Sequence, residues 1–579
     1  MKYKKTLATI LIMILGLALF GCEKGVDLEN NEDKQGSVEV SYEPEYGGNM
    51  NVPISNVKTF NPLINREKSL YHFYKLIYEA LFEFDEDFNI KGQLCKTYQI
   101  ENEGRLIRLT LRDDVYWHDG VKFTAKDVKF TLDAMRYSSR EGLYNEILTD
   151  VFKPSKPSDI KQIMSANIIN DYVIEIKLNR NYSNSLEALM FPILPMHQFT
   201  NKQSADRSDY DKAFNENYIK TPIGTGPYKF DKYEKLKYVG LSANDKWYKG
   251  KPYIQNISGI IVDSEETALS SFETGLVDLA FAVGIDWDKY LENKKVNIYE
   301  YTTNKYEFIG FNFNKEIFQG VKGQSLRKAI DYAINKQVIV DNVFLRHAKI
   351  ADTPINPNSW LYDKDTNLLK YNINEARDIL QKAGFKDTND DGILEDTNGK
   401  KLQIRLLTNS YNQLRTEMAD IIVNDLKEIG IEVIKDYNSS NNLSEQEIAT
   451  QWERLNNKLS KREFDMVLLG WDLSLVPDLS FMLHSSQIDN GTNFISYNHI
   501  EMDNLLMQAF LAQDRETKRE SYINIQKLIS EDLPYVSLLF KNKAILVNNK
   551  IMGDIKPETF NLYYNIDKWF IPKKYQDIK

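Results

Sequence analysis

Cysteine is nearly absent. The 579 residues contain only Cys22 and Cys95, so no disulfide framework holds the chain together. Histidine is almost as scarce, and the six residues show no His-x-His or His-Glu-x-x-His spacing, which leaves a zinc site without ligands. No Gly-x-Ser-x-Gly elbow and no Gly-x-x-x-x-Gly-Lys-Ser/Thr loop occurs, so acyl transfer and nucleotide hydrolysis lack their parts. Positive charge is in deficit: 73 Lys and Arg stand against 83 Asp and Glu, a net charge of -10. That balance argues against a nucleic-acid partner, whose phosphates need a basic surface. No repeat or low-complexity tract is visible, and beyond residue 21 no apolar run approaches the length of a membrane span.

What is present is the make-up of an ordinary folded protein, 42% hydrophobic and 27% charged,. Single cores stop growing at roughly 250–300 residues, so two or three domains are expected. Tyrosine is abundant, at 34 residues beside 28 Phe and 7 Trp. A buried tyrosine combines apolar area with a hydroxyl that needs a partner, which suits an amphipathic binding cavity.

The first residues look like an address. Lys2, Lys4 and Lys5 precede an apolar run from Thr6 to Phe20, too short for a bilayer of ~30 Å but right for a secretory signal peptide. Leu19-Phe20-Gly21-Cys22 then resembles a bacterial lipobox, in which the cysteine sulfur is lipidated before cleavage after residue 21. Residues 22–46 are acidic and rich in Asn and Gly, and read as a flexible tether.

Downstream, the apolar spacing predicts a helix over Leu70 to Phe82, with Leu76, Ile77, Ala80 and Leu81 on one face. Strict alternation predicts a strand over Arg105 to Arg112, and Trp117-His118-Asp119-Gly120 reads as a tight turn. Thr124 with Asp127 reads as a helix cap ahead of a Val128, Leu132 and Met135 stripe. Thr221 to Phe230 is a Gly/Pro-punctuated loop entering a strand, and Phe308 to Phe313 is another strand. Ser325 is expected to cap a helix carrying Leu326, Ala329, Ile330, Ala333 and Ile334. Asn372 caps the next, which Gly384 ends. A strand at Leu402 to Leu407, a helix at Tyr411 to Ile429 closed by Gly430, and a strand at Ile431 to Ile434 make a βαβ unit with parallel strands. Asp465 to Leu469 adds a buried strand.

The stretch Leu109 to Val128 is the most specific in the chain. Its strand, His-Asp-Gly turn and Phe-Thr-Ala-x-Asp-Val helix start resemble the signature of the family 5 extracellular solute-binding proteins, the oligopeptide- and dipeptide-binding components of ABC transporters. Asp114 stands where that family commonly has Gly. Further landmarks follow in order: Thr59-Phe-Asn-Pro62, Ile223-Gly-Thr-Gly-Pro-Tyr228, Phe311-Asn-Phe313, Leu326 to Ala333, Leu380 to Gly384 and Phe464 to Trp471.

The resemblance implies an α/β, periplasmic-binding-protein-like fold, with two lobes joined by a hinge and an inserted subdomain. Lobe I would comprise residues 47–70, 200–307 and 540–579, the subdomain 71–199, and lobe II 308–539. The chain crosses between lobes near Phe308–Phe313 and Pro534–Leu539. A peptide would lie between the lobes, be buried by hinge closure, and pass to permease subunits served by a separate ATPase. A monomer, tethered by lipid on Cys22 to the outer face of the bacterial cell membrane, is expected, with no cofactor. Nickel, haem, an oligosaccharide or a peptide pheromone are alternative cargoes; a surface hydrolase is a poorer fit, since no catalytic constellation is in sight.

For the ligand contacts, the resemblance points to an Asp beyond Gly470-Trp471 that would pair with the ligand's α-ammonium. Asp472 is early for that position and Asp478 follows Pro477, so the alternative is that Asp472 serves a turn and Asp478 caps a helix. Asn61, Asn312 and Trp471, in the landmark stretches, complete the candidate ligand-binding set. Asp387, Asn389, Asp391 and Gly392 match the start of a calcium loop, but position 12 is Asn398 rather than Glu, and a plain turn fits as well. No metal site is assigned.

Overall fold

The two longest strands, Val296–Phe311 and Tyr535–Asn548, form the spine of the molecule and pair antiparallel along most of their length. The computed structural model describes residues 42–137, 163–366, 370–438, 443–474, 478–489 and 491–576. The signal-like segment, Cys22, most of the tether and Leu475 to Pro477 lie outside them. Among the described residues no helix is long and apolar enough to cross a membrane.

Both spine strands belong to a seven-stranded sheet. Its order is Leu279–Phe281, Tyr535–Asn548, Val296–Phe311, Met466–Asp472, Gln403–Leu407 and Glu432–Asp436, with Ala348–Ile350 also paired to Tyr535–Asn548. The spine changes neighbours along its length. At one end Ile545–Val547 pairs with Leu279–Phe281, and at the other Lys305–Phe311 pairs with Met466–Asp472. Between them the register shifts, from Thr302 opposite Asn542 to Tyr306 opposite Phe540. Such an irregularity bends a strand and raises its twist.

Side-chain alternation explains why this sheet is covered on both faces. Ile309, Phe311, Met466 and Leu468 enter one core with helices Gly320–Ala333, Lys336–Val343 and Gln413–Glu428. Tyr306, Phe308, Val467 and Leu469 enter the opposite core with helices Ile500–Leu511 and Arg515–Asp532. A strand buried on both faces reads as a continuous apolar run, which is why only the second half of Val296–Phe311 is legible in the sequence. The first half is partly exposed.

A four-stranded sheet runs Asn49–Ile54, Asn256–Ile261, Tyr238–Ala243, Tyr228–Glu234, its first pair parallel and the others antiparallel. A second, antiparallel throughout, runs Cys95–Glu101, Leu106–Leu111, Val173–Leu178, Ile163–Asn170. Ile107, Leu109 and Leu111 point into its core, as their alternation requires. Cys95 is a buried free thiol, its pKa pushed up to about 12 by burial, and hence inert. The βαβ unit is present: Gln403–Leu407 and Glu432–Asp436 are parallel across the helix Gln413–Glu428, and Gly430 takes φ +81° at its end.

Two expectations need correction. The helix predicted over Leu70 to Phe82 is Lys68–Tyr74. Leu76 and Ile77 remain buried, but their carbonyls accept the amides of Tyr228 and Gly226, both at 2.9 Å. Pairing with a distant loop thus replaces the later helical turns. The Gly-Thr-Gly sequence makes that approach feasible, because a Cβ on Gly224 would lie 1.8 Å from the Ile77 carbonyl oxygen. Ser325, expected as a cap, sits inside the helix Gly320–Ala333, where its hydroxyl donates back to the Val321 carbonyl at 3.0 Å.

The Trp117–Gly120 turn is structural. His118 Nε2 contacts the Gly226 carbonyl at 3.0 Å, and Nδ1 accepts the Gly224 amide at 3.2 Å. Burial lowers its pKa to about 4, so the ring is neutral and fastens the turn to the glycine loop.

Candidate functional site

Three neighbouring cavities lie where residues 62–104 and 181–192 meet residues 354–361 and 512–518, together with Asn304, Leu473, Ser474, Asp478, Leu479, Phe560 and Asn561. The largest, about 400 Å³, is walled by Tyr71, Tyr74, Tyr78, Phe82, Phe84, Met190 and Phe560, with Lys75, Glu83, Gln93 and Asn561 among the polar groups. It shares Phe84, Glu187 and Ser474 with a small cavity of about 50 Å³ that Phe88, Asn304, Asn356, Trp360, Asp478 and Leu479 help to line. Glu187 and Trp360 then border a third cavity of about 300 Å³, beside Tyr98, Tyr182, Arg515 and Lys518.

The tyrosine wall is held by its own hydroxyls. Tyr74 donates to the Thr59 carbonyl at 2.5 Å and Tyr78 to the Phe60 carbonyl at 3.1 Å. Aromatic faces therefore stay turned to the cavity while their polar ends are satisfied. Long-range contacts close the far side: the Trp360 amide donates to the Asp87 carbonyl at 3.0 Å and the Ser183 amide to Phe510 at 2.8 Å.

Glu187 is common to all three cavities. It is buried, and its Oε1 accepts Lys518 Nζ at 2.8 Å; Lys518 also donates to Asn184 Oδ1 at 2.5 Å. Asp478 accepts the Ser480 amide at 2.8 Å just ahead of the short helix Ser480–Leu483, whose N-cap position is Leu479 rather than Asp478, and burial raises the pKa of its carboxyl.

None of the four sequence-selected residues lines these cavities. Asn61 is fully buried; its amide donates to the Ala213 carbonyl and its Oδ1 accepts the Leu63 amide at 3.0 Å. Asn312, also fully buried, donates to the Arg462 and Phe464 carbonyls at 3.0 and 2.8 Å and accepts from Asn314 at 3.1 Å. Both amide donors of Asn312 go to backbone carbonyls and its Oδ1 takes a backbone amide, so the side chain is engaged in holding these segments together,. Trp471 packs near-parallel to Phe308 and edge-on to Phe481. Asp472 is exposed, opposite Lys305 in the paired strand. Their motifs deliver neighbours instead: Pro62, Leu473 and Ser474 reach the cavity walls.

Gly470 has a steric task. A Cβ there would meet Arg415 Nη2 at 2.5 Å and Glu307 Oε1 at 2.8 Å. Glu307 is buried and binds Arg415 Nε at 2.7 Å and Lys541 Nζ at 2.6 Å, a charged cluster at the spine's register shift. Away from the cavities, carboxylate oxygens of Asp387, Asp391 and Glu395 lie within 4.8 Å of one another. The loop's own donors occupy them: Asp387 accepts the Asp390 and Gly392 amides, Glu395 accepts Thr388, and Asp391 pairs with Lys401.

A sequence profile of the bacterial extracellular solute-binding proteins, family 5 (middle region), matches residues 89–493. The oligopeptide-binding protein AppA of Bacillus subtilis is 30% identical over 582 residues, covering 99% of this chain and 100% of that protein. The solved structure of B. subtilis AppA in complex with a nonapeptide superposes with a TM-score of 0.60 at 29% identity, covering 92% of this chain and 100% of that one. NikZ from Campylobacter jejuni in complex with Ni(L-His) gives 0.62 at 26% identity, covering 90% and 99%.

Proposed function

Since the chain belongs to family 5 of the bacterial extracellular solute-binding proteins, we propose that it captures oligopeptides and hands them to a membrane permease. Proteins of this family are extracytoplasmic substrate-binding components of ABC transporters, not enzymes, and the fold is that of the periplasmic binding proteins. The observation that carries the peptide reading is the end-to-end similarity to an oligopeptide-binding protein. The tyrosine-walled cavity beside Glu187 supports it, since aromatic faces accept varied side chains while amides such as Gln93 and Asn561 suit a peptide backbone,.

In this reading residues 47–70, 200–307 and 540–579 act as one lobe carrying the 71–199 subdomain, and 308–539 as the other. The spine register shift at Thr302–Tyr306, which bends the strand, lies beside the boundary between these two lobes,. Closure buries the ligand and marks the loaded state for the transporter. A lipid on Cys22 and the tether to residue 46 would hold a monomer at the membrane.

Thermal unfolding with a diverse peptide pool tests the cargo. Binding to the native state alone adds RT ln(1 + [L]/Kd), about 2.7 kcal/mol at a hundredfold excess over Kd, and so raises Tm. A nickel–histidine complex, haem and oligosaccharides form the other arms, nickel being included because of the likeness to NikZ. A shift with one of those and none with peptides would overturn the peptide reading.

A further inference from the structure

The largest cavity draws its walls almost entirely from one region of the molecule. Its lining residues other than Ser474 lie in segments 62–93, 187–192 and 560–561, which the two-lobe reading gives to lobe I and its subdomain. Its shape therefore does not depend on how far the lobes have closed. The rings that face it are fixed in place. Tyr74 and Tyr78 meet edge-on with centroids 6.3 Å apart, and their hydroxyls are spent on the Thr59 and Phe60 carbonyls. Phe84 and Phe560 lie 5.6 Å apart, and both pack on Phe88, which borders the small neighbouring cavity. Rings held in this way keep the space open. At about 400 Å³ it is well above the roughly 150 Å³ at which an apolar cavity already admits benzene,.

The charges along its edge are answered within the protein. Glu83 pairs with Lys249 at 2.9 Å and Glu187 with Lys518 at 2.8 Å, while the Lys75 ammonium lies over the Tyr71 ring, 5.0 Å from its centroid. A charged ligand side chain entering here gives up its hydration for partners already engaged. An apolar one displaces water that ring faces hold only weakly, and that exchange gains affinity.

We propose that this cavity is the selectivity pocket of the protein: it takes one bulky apolar side chain of the ligand, an aromatic ring above all. The proposal rests on the peptide-binding reading above and names the class of peptide within it, one carrying such a residue. Several ring and branched shapes fit between the aromatic faces; charge does not.

Calorimetry of host–guest peptides on the full chain tests this. Hosts of alternating Ala and Ser, three to nine residues long, carry one guest at each position in turn: Phe, Trp, Leu, Asn, Asp or Lys. At one position Phe, Trp or Leu should bind wild type about tenfold to a hundredfold more tightly than Ala, the gain from burying such a side chain. Asn, Asp and Lys should gain nothing there. Ala80→Phe, which adds a ring from the cavity's own wall, should bring the ratio of guest to host affinity down to about one. Met190→Ala widens the same cavity and should move the preference from Leu towards Trp; it decides the matter if a thermal scan without ligand shows that Ala80→Phe does not fold. An absence of apolar preference at every position, or an Asp or Lys guest bound as tightly as Phe, overturns the pocket but not the peptide function. So does a preference that survives Ala80→Phe or, where that variant does not fold, is unmoved by Met190→Ala. If no host or guest peptide binds wild type, the peptide reading itself falls and this pocket with it.

Discussion

Replacing Glu79 with Gln should make the protein more stable at pH 8 and leave it nearly unchanged at pH 4.5. Glu79 is 2% exposed, and burial pushes its carboxyl up to about 7 despite the opposing pull of Lys249. Oε1 accepts Tyr248 Oη at 2.9 Å and Trp247 Nε1 at 3.3 Å, while Oε2 has no partner. The folded pKa therefore lies above the ordinary value of 4.5. Below that value both states hold the proton and the group is neutral in its effect. Between 4.5 and 7 the native state keeps a proton that the unfolded chain has released, so stability falls as pH rises, and above 7 the full penalty applies. A shift of that size corresponds to ~3 kcal/mol at 1.36 kcal/mol per pH unit. Gln keeps the Oε1 acceptor and the shape but carries no charge. Urea unfolding followed by tryptophan fluorescence at pH 4.5, 6 and 8 measures the difference between variant and wild type. Taking that difference cancels other titrating groups, such as Glu558, whose carboxyl burial also pushes to about 7. The variant's advantage should grow towards ~3 kcal/mol at pH 8. A difference that is flat across this range, or a variant less stable at pH 8, refutes the argument.

Gly224→Ala should destabilise the fold by ~3 kcal/mol or more, since a Cβ 1.8 Å from the Ile77 carbonyl must push the glycine loop, which His118 also holds, away from the segment around Ile77,; a Tm within a degree of wild type counts against that role. Cys22→Ala should move the protein from the membrane fraction to the medium or leave it unprocessed, and unchanged fractionation and lipid labelling would remove the anchor. Asp472→Asn should alter the affinity for a free-amino peptide by less than about threefold, because Asp472 is exposed and faces Lys305; a hundredfold loss by calorimetry would return the ligand ammonium to that residue.

Local chemistry settles much of this protein without help from the fold. Alternation alone marks Leu106–Leu111 as a half-buried strand, because side chains there point to opposite faces every residue. Asn372 capping the Glu375 amide and Gly384 at φ +86° bound a helix through contacts a few residues long. The ordered landmarks from Thr59 to Trp471 identify the family. The site is different in kind. Asn312 looks available in sequence, yet the Phe464 carbonyl that claims its amide is 152 residues away. The helix at Lys68–Tyr74 stops early because a loop more than a hundred residues later supplies the next hydrogen bonds. Glu187 and Lys518 are 331 residues apart, and neither carries a local signal; Glu187 lies in a short helical turn of only three residues. Periodicity, capping and turn preferences report interactions within about one helical turn or strand pair. A buried ion pair between distant segments is decided by which surfaces the folded cores bring together, and that information exists only once the chain has packed.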